Sequence, residues 1–186
     1  RSEFPDITNP PLYPLLLSGW MKVLPFEFKV GESPRYQPEV FINLLNQFLF
    51  FIALAQVFRL GERLFDQSVA WCAMLVFLGT ELYWEFSISG LPTMLLLVLF
   101  LALANVLVSI EAHENDKHPS GGGWFAGMAF GAGVLVGLGG LTRYGFAWVI
   151  LPVLVYLGWF MGQHRGRTMA MALLGFLLVM SPWLVR

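Results

Sequence analysis

Hydrophobic residues along this chain gather into six long runs, and polar residues gather into the stretches between them. The runs fall at about residues 39–58, 68–88, 91–110, 124–141, 146–161 and 168–183. Each approaches the length an α-helix needs to cross a hydrocarbon core of ~30 Å at 1.5 Å per residue. The pattern predicts an all-α fold, a polytopic transmembrane helix bundle of about six spanning helices. Residues 1–38 contain no spanning run and hold seven prolines. Within them, PLYPLLLSGWMKV (11–23) is short, apolar and rich in interfacial residues: Tyr13, Trp20 and Lys22. It predicts an amphipathic helix lying in the membrane surface. The chain therefore divides into a surface segment, 1–38, and a helical membrane domain, 39–186. It begins in a polar loop without an initiator Met and ends directly after an apolar run, which reads as an internal portion of a longer protein.

Polar and small residues inside the runs refine this picture. Asn43, Asn46, Gln47 and Gln56 recur at helical spacings in the first run and mark an inward face, where amides commonly join helix to helix. Pro92 stands where the third helix starts. The pairs Gly127/Gly131 and Gly133/Gly137 are small residues four apart, which lets helices approach closely. The fourth run holds six glycines between Gly127 and Gly140. Each disfavours an isolated helix by ~1 kcal/mol relative to Ala. In lipid an unpaired backbone group costs several kcal/mol, so the helical state still wins.

Loop charge gives an orientation. RLGERLFDQ carries Arg59 and Arg63, EAHENDKHPSGGG carries Lys117, and GQHRGR carries Arg165 and Arg167. These loops alternate with SISG, which has no cation, and with the turn at Arg143. Under the positive-inside rule the first set is cytoplasmic. Residues 1–38, residues 87–90, Arg143 and Arg186 then share the outer side of a bacterial plasma (inner) membrane. That side is where a site is expected.

Composition agrees with the membrane reading. The 186 residues are 57% hydrophobic and 12% charged, with a mean hydropathy of +0.67; a soluble globule carries roughly 25% charged residues. The net charge of -1 gives no basic surface for nucleic acid. Cys72 is the single cysteine, so no intrachain disulfide forms. His113, His118 and His164 fall in polar loops without metal-like spacing. His113 and His118 with Glu114 and Asp116 form the one weak candidate for a divalent metal, and a solvated loop accounts for them better. No cofactor is expected.

The most informative stretch is GGLTRYGFAWVILP (139–152), which sets Arg143 between two uncharged apolar runs. An arginine inside hydrocarbon costs at least ~2.5–3.5 kcal/mol. Arg143 therefore belongs at an interface, in a tight Gly-rich turn. A guanidinium beside Tyr144 suits a phosphate, because its fork matches phosphate oxygens. An ordinary snorkelling anchor is the alternative. Glu81 and Glu85 lie one helical turn apart near the outer end of the second run, beside Tyr83 and Trp84. They are candidates for a general base or cation ligands, and a water-facing helix end is the alternative.

Several strings resemble the GT-C glycosyltransferases, and more narrowly the PMT/ArnT-like group (glycosyltransferase family 39, dolichyl-phosphate-mannose–protein mannosyltransferase-like). NPPLYPLLLSGW (9–20) resembles part of that family's long outer loop. RLGERLFDQSVAW (59–71), GAGVLVGLGGLTRYGFAWVILPVLVYL (131–157) and SPWLVR (181–186) match further family stretches in the same order. The resemblance implies a multi-helix domain that binds a polyprenyl-phosphate sugar at the outer leaflet and passes the sugar to an acceptor. It implies Arg143, Tyr144, Tyr13 and Asn9 as substrate-binding candidates, to which the spacing of Glu81 and Glu85 adds two more. The family's catalytic Asp is expected upstream of this segment, so no catalytic residue is assigned here. Two departures stand out: Asn9 replaces the usual Lys or His, and SISGLPTM lacks the Asp common at the outer start of the third helix.

The function expected is transfer of a sugar from a polyprenyl-phosphate donor at the outer face, with membrane lipids as surroundings. The alternative is a non-catalytic membrane subunit on the same scaffold, bound to protein partners in a larger complex; the two departures favour it. A transporter is the third reading, opposed by the lack of a charge pair within the runs and of an inverted repeat.

Overall fold

The structure, a computed structural model, describes residues 10–23, 37–115, 122–160 and 165–184. Among them are eight α-helices and no strand: α1 (Leu12–Val23), α2 (Gln37–Leu64), α3 (Gln67–Gly79), α4 (Glu81–Ile88), α5 (Thr93–Asn115), α6 (Gly122–Thr142), α7 (Ile150–Phe160) and α8 (Arg165–Leu184). A 3-10 stretch, Tyr144–Val149, joins α6 to α7. This is the all-α membrane bundle the hydropathy pattern predicts. Among the described residues four helices are long and apolar enough to cross a membrane: Glu39–Leu64, Thr93–His113, Gly122–Thr142 and Arg165–Trp183. There are five if α3 and α4 together make one span, and Tyr144–Phe160 is a shorter apolar helix.

The second expected span is two helices bent by 58°. Helix α3 opens on Asp66, whose carboxylate accepts from the Val69 amide at 2.8 Å, a standard N-cap. It ends where Thr80 turns extended (φ -81, ψ 112) after Gly79. A break inside lipid leaves carbonyls without amide partners, and side chains must cover them. The Thr80 hydroxyl donates to the Val76 carbonyl at 2.7 Å, and the Trp84 indole donates to Leu78 at 2.7 Å. The rings of Phe77 and Tyr83 stack across the bend, with centroids 4.2 Å apart.

The fifth expected span is a six-residue 3-10 stretch followed by an eleven-residue α-helix. Pro152 explains the join. It has no amide hydrogen, and its ring clashes with the carbonyl four residues earlier. Proline is tolerated in the first helical turn, which is where α7, starting at Ile150, places Pro152, and the residues before it tighten into 3-10 geometry.

Two apolar cores hold the bundle. One gathers Tyr13 of α1, Leu45 and Phe50 of α2, Phe77 of α3 and Met94 of α5. The other gathers Ile110 of α5, Val136 of α6, Leu157 of α7 and Ala172 of α8. Leu135 of α6 packs against both. The closest approach is between α6 and α8. A Cβ added at Gly133 would stand 1.8 Å from the Ala172 carbonyl oxygen, and one at Gly175 would stand 2.4 Å from the Phe130 oxygen. Of the two glycine pairs in the sequence, Gly133/Gly137 makes this contact. Gly127 and Gly131 have nothing within 4 Å of an added Cβ among the described residues.

Of the four amides expected on the inward face, Asn46 and Gln47 join α2 to its neighbours through their side chains. Asn46 is fully buried against Tyr13, and Gln47 donates to the Ser87 hydroxyl at 2.8 Å. The Gln56 backbone carbonyl accepts from Asn105 at 3.3 Å, but the side-chain Oε1 of Gln56 is buried without a hydrogen-bond partner among the described residues. At the far end from α1, Arg63 bonds the Asn105 carbonyl at 3.2 Å and the Ser109 hydroxyl.

Candidate functional site

Chain direction brings five pieces to one end of the bundle: α1, the start of α2, the α4–α5 turn, the α6–α7 turn and the end of α8. Helix α1 docks by its polar groups. The Asn46 amide donates to the Tyr13 hydroxyl at 3.2 Å, and the Trp20 indole donates to the Phe41 carbonyl at 3.1 Å. Burial raises the Tyr13 phenol above its ordinary pKa, and the Asn46 bond offsets part of that rise. Because α1 also packs on α6, Tyr13 lies beside the helix that leads to Arg143.

The Arg143 turn is built by glycine and aromatic packing. Helix α6 ends at Thr142, and Arg143 turns extended (φ -152, ψ 116). Its carbonyl accepts from the Phe146 amide at 2.8 Å, which starts the 3-10 stretch. The Phe146 ring folds back onto Gly139, where an added Cβ would meet it at 2.1 Å. The bare glycine thus seats the ring and leaves Arg143 exposed at the apex. Beside it, the half-buried Tyr144 hydroxyl accepts from the Trp183 indole at 3.0 Å. Arg143 and Tyr144 are therefore adjacent, as the sequence implies, and Trp183 joins them from α8.

Glu81 and Glu85 are exposed, while Tyr83, Phe86 and Ser87 of the same helix turn inward. Helix α4 packs on α2 and α5, so its two carboxylates are not gathered with the Arg143 turn, which packs on α6 and α7. Asn9, Asp116 and His118 lie outside the described residues. His113 stacks on Trp124 with centroids 4.1 Å apart. Among the described residues no group of three or more His, Cys, Asp or Glu is placed to hold a metal.

A feature the sequence reading missed is a cavity of about 400 Å³ lined by Glu39, Ile42, Asn43, Ile88, Ser89 and Gly90. It opens where the first turns of α2 meet the α4–α5 turn. Gly90 has φ +68, a left-handed conformation suited to glycine. The amide periodicity picks out Asn43, and Glu39 precedes it by one turn. Nothing local links either residue to positions 88–90. A second cavity, about 610 Å³, is an apolar groove along α3 lined by Val57, Val69, Cys72, Val76, Phe77 and Tyr83 among others.

Lipid-length helices with polar chemistry collected at one end make this an integral membrane protein of the helix-bundle class. Residues 9–185 match the family model for dolichyl-phosphate-mannose-protein mannosyltransferase, and the chain belongs to that family, whose members are membrane glycosyltransferases of GT-C type. No curated protein and no solved structure matches the chain.

Proposed function

We propose that this chain forms part of a glycosyltransferase that moves a sugar from a polyprenyl-phosphate donor to an acceptor at the outer face of the plasma membrane. The observation that carries the reading is Arg143, exposed at the apex of the α6–α7 turn beside Tyr144. A sugar leaving a phosphate builds negative charge on the departing oxygen. A fixed guanidinium stabilises that charge more in the transition state than in the ground state. Tyr144 and Tyr13 flank this end as hydrogen-bonding groups, and the base that deprotonates the acceptor is an Asp outside this segment. The apolar groove along α3 is of a kind that suits a lipid chain.

Binding of a polyprenyl phosphate to the full-length protein tests this. Lys at position 143 keeps the charge but loses the bidentate fork. Arg143→Lys weakens binding partly, and Arg143→Ala weakens it by about tenfold or more, from a charged hydrogen bond of ~1.5–3 kcal/mol. If both variants bind like the parent, Arg143 is a snorkelling anchor and the reading fails. A non-catalytic subunit remains the second reading, favoured by Ser89–Gly90 standing where the family often has a carboxylate. It predicts intact lipid-phosphate binding with no transfer in the full-length protein.

A further inference from the structure

The geometry points to the cavity between α2 and the α4–α5 turn as a subsite for sugar hydroxyls, with Glu39 and Asn43 as its reading groups. Glu39 and Asn43 stand four residues apart, so they lie on the same face of α2 and both line the cavity. Together they offer two carboxylate oxygens, one amide oxygen and two amide hydrogens. A sugar hydroxyl both donates and accepts, and adjacent hydroxyls need acceptors and donors side by side. A carboxylate with a carboxamide one turn away supplies that pairing.

The opposite wall adds shape and polarity. Ser89 Oγ donates to the Phe86 carbonyl at 2.9 Å and accepts from the Leu91 amide at 3.4 Å. Its hydrogen is therefore committed, and its remaining lone pair is an acceptor. Gly90, held at φ +68, closes the wall without adding a side chain. Ile42 and Ile88 give apolar surface for the C–H faces of a pyranose ring. The volume of about 400 Å³ lies within the range of small-ligand sites, roughly 300–1,000 Å³. A divalent cation fits less well: among the described residues Glu39 is the only carboxylate that lines the cavity, whereas Ca²⁺ takes about 6–8 oxygens and Mg²⁺ an octahedral shell.

This inference deepens the reading of the preceding subsection and rests on it for the phosphate end of the donor. The two fail separately in one experiment on the full-length protein. Binding of a polyprenyl phosphate, a polyprenyl-phosphate hexose and a panel of methyl hexopyranosides is compared for the parent, Glu39→Gln, Asn43→Ala and the control Glu62→Gln. Glu39→Gln and Asn43→Ala each weaken the sugar-bearing lipid and the bound methyl hexoside about tenfold and leave the bare polyprenyl phosphate unchanged. Glu62→Gln alters none of them. If both cavity variants bind sugar like the parent, the subsite is overturned while the lipid-phosphate reading stands. If the parent binds no lipid phosphate, that reading fails, and loss of methyl hexoside binding in the two variants still supports the subsite. Absence of hexoside binding by the parent overturns it. Binding of Mg²⁺, Ca²⁺ or Mn²⁺ that is lost in Glu39→Gln, with hexoside binding intact, also overturns it in favour of a cation site. Parent-like thermal midpoints identify the variants that are folded. Asn43→Ala carries the test if Glu39→Gln does not fold.

Discussion

Replacing Gly133 by Ala adds one methyl group at the closest approach of α6 and α8. Its carbon would stand 1.8 Å from the Ala172 carbonyl oxygen, 2.7 Å from the carbonyl carbon and 3.0 Å from Cα. A relaxed carbon–oxygen contact is about 3.3–3.6 Å, so α8 must retreat by about 1.5 Å. A gap of 0.5–1 Å already forfeits a quarter to a half of a dispersion contact. Overpacking costs ~1–3 kcal/mol, and backbone cannot swing aside as a side chain can, which puts this case at the upper end. The same substitution at Gly127, in the same helix, meets nothing within 4 Å. There only the propensity difference acts, stabilising by at most ~1 kcal/mol. The propensity gain is common to both variants, so they should differ by the overpacking cost alone, about 3 kcal/mol at its upper end, with opposite signs relative to the parent. Thermal unfolding of the full-length protein in detergent, followed by tryptophan fluorescence, measures the order of midpoints. A helix bundle of this kind need not unfold in two states, so midpoints are compared rather than fitted free energies. Because the clash is with backbone, Ala172→Gly should not rescue Gly133→Ala. Equal midpoints for the two single variants, or rescue by Ala172→Gly, would refute this packing.

Tyr13→Phe removes the hydroxyl that the fully buried Asn46 bonds, at a cost of ~1–3 kcal/mol. Amide exchange in α1 should accelerate about tenfold or more, and unchanged exchange would show that this pair does not hold the helix. Since burial raises the Tyr13 pKa above its ordinary 10.0, the neutral phenol is the form the docked state favours. Its contribution is complete below pH ~10 and is lost as pH rises past the raised value, so parent α1 docking should weaken at high pH more than docking in Tyr13→Phe. Gln56→Leu deletes a buried unpaired oxygen without touching the backbone carbonyl that Asn105 bonds, and removing an unsatisfied acceptor should raise the thermal midpoint. A clear fall would mean the amide is paired in the full-length protein. In a Cys72→Ala background, cysteines placed at the exposed Ser18 and Gly166 should label from opposite sides of sealed cells, Ser18→Cys from outside. Equal labelling from outside would overturn the orientation.

Much of this arrangement is a local property of the chain. A run of apolar residues about as long as a bilayer is thick must satisfy its own backbone, so the segments later seen as α2, α5, α6 and α8 are readable before any contact is known. The prolines and aromatics of residues 11–23 likewise mark α1, and the amide spacing marks the face of α2 that carries Asn46 and Gln47. The isolation of Arg143 between uncharged runs places it at a turn. Tertiary structure decided the rest, because helix rotation and tilt select among locally equivalent choices. Two glycine pairs have the same spacing, yet only Gly133/Gly137 faces α8. The run at 68–88 has span length, yet it bends at Thr80, where Trp84 and the Thr80 hydroxyl cover the carbonyls that a straight helix would have paired. Pro152 shifts the start of α7 through the clash of its ring with the preceding turn. The cavity joins Glu39 and Asn43 to Ser89 and Gly90, positions some fifty residues apart, because α2 and the α4–α5 turn meet in space. Hydropathy and periodicity carry no information about that meeting; only the packed bundle, in which each helix has turned one face to each neighbour, contains it.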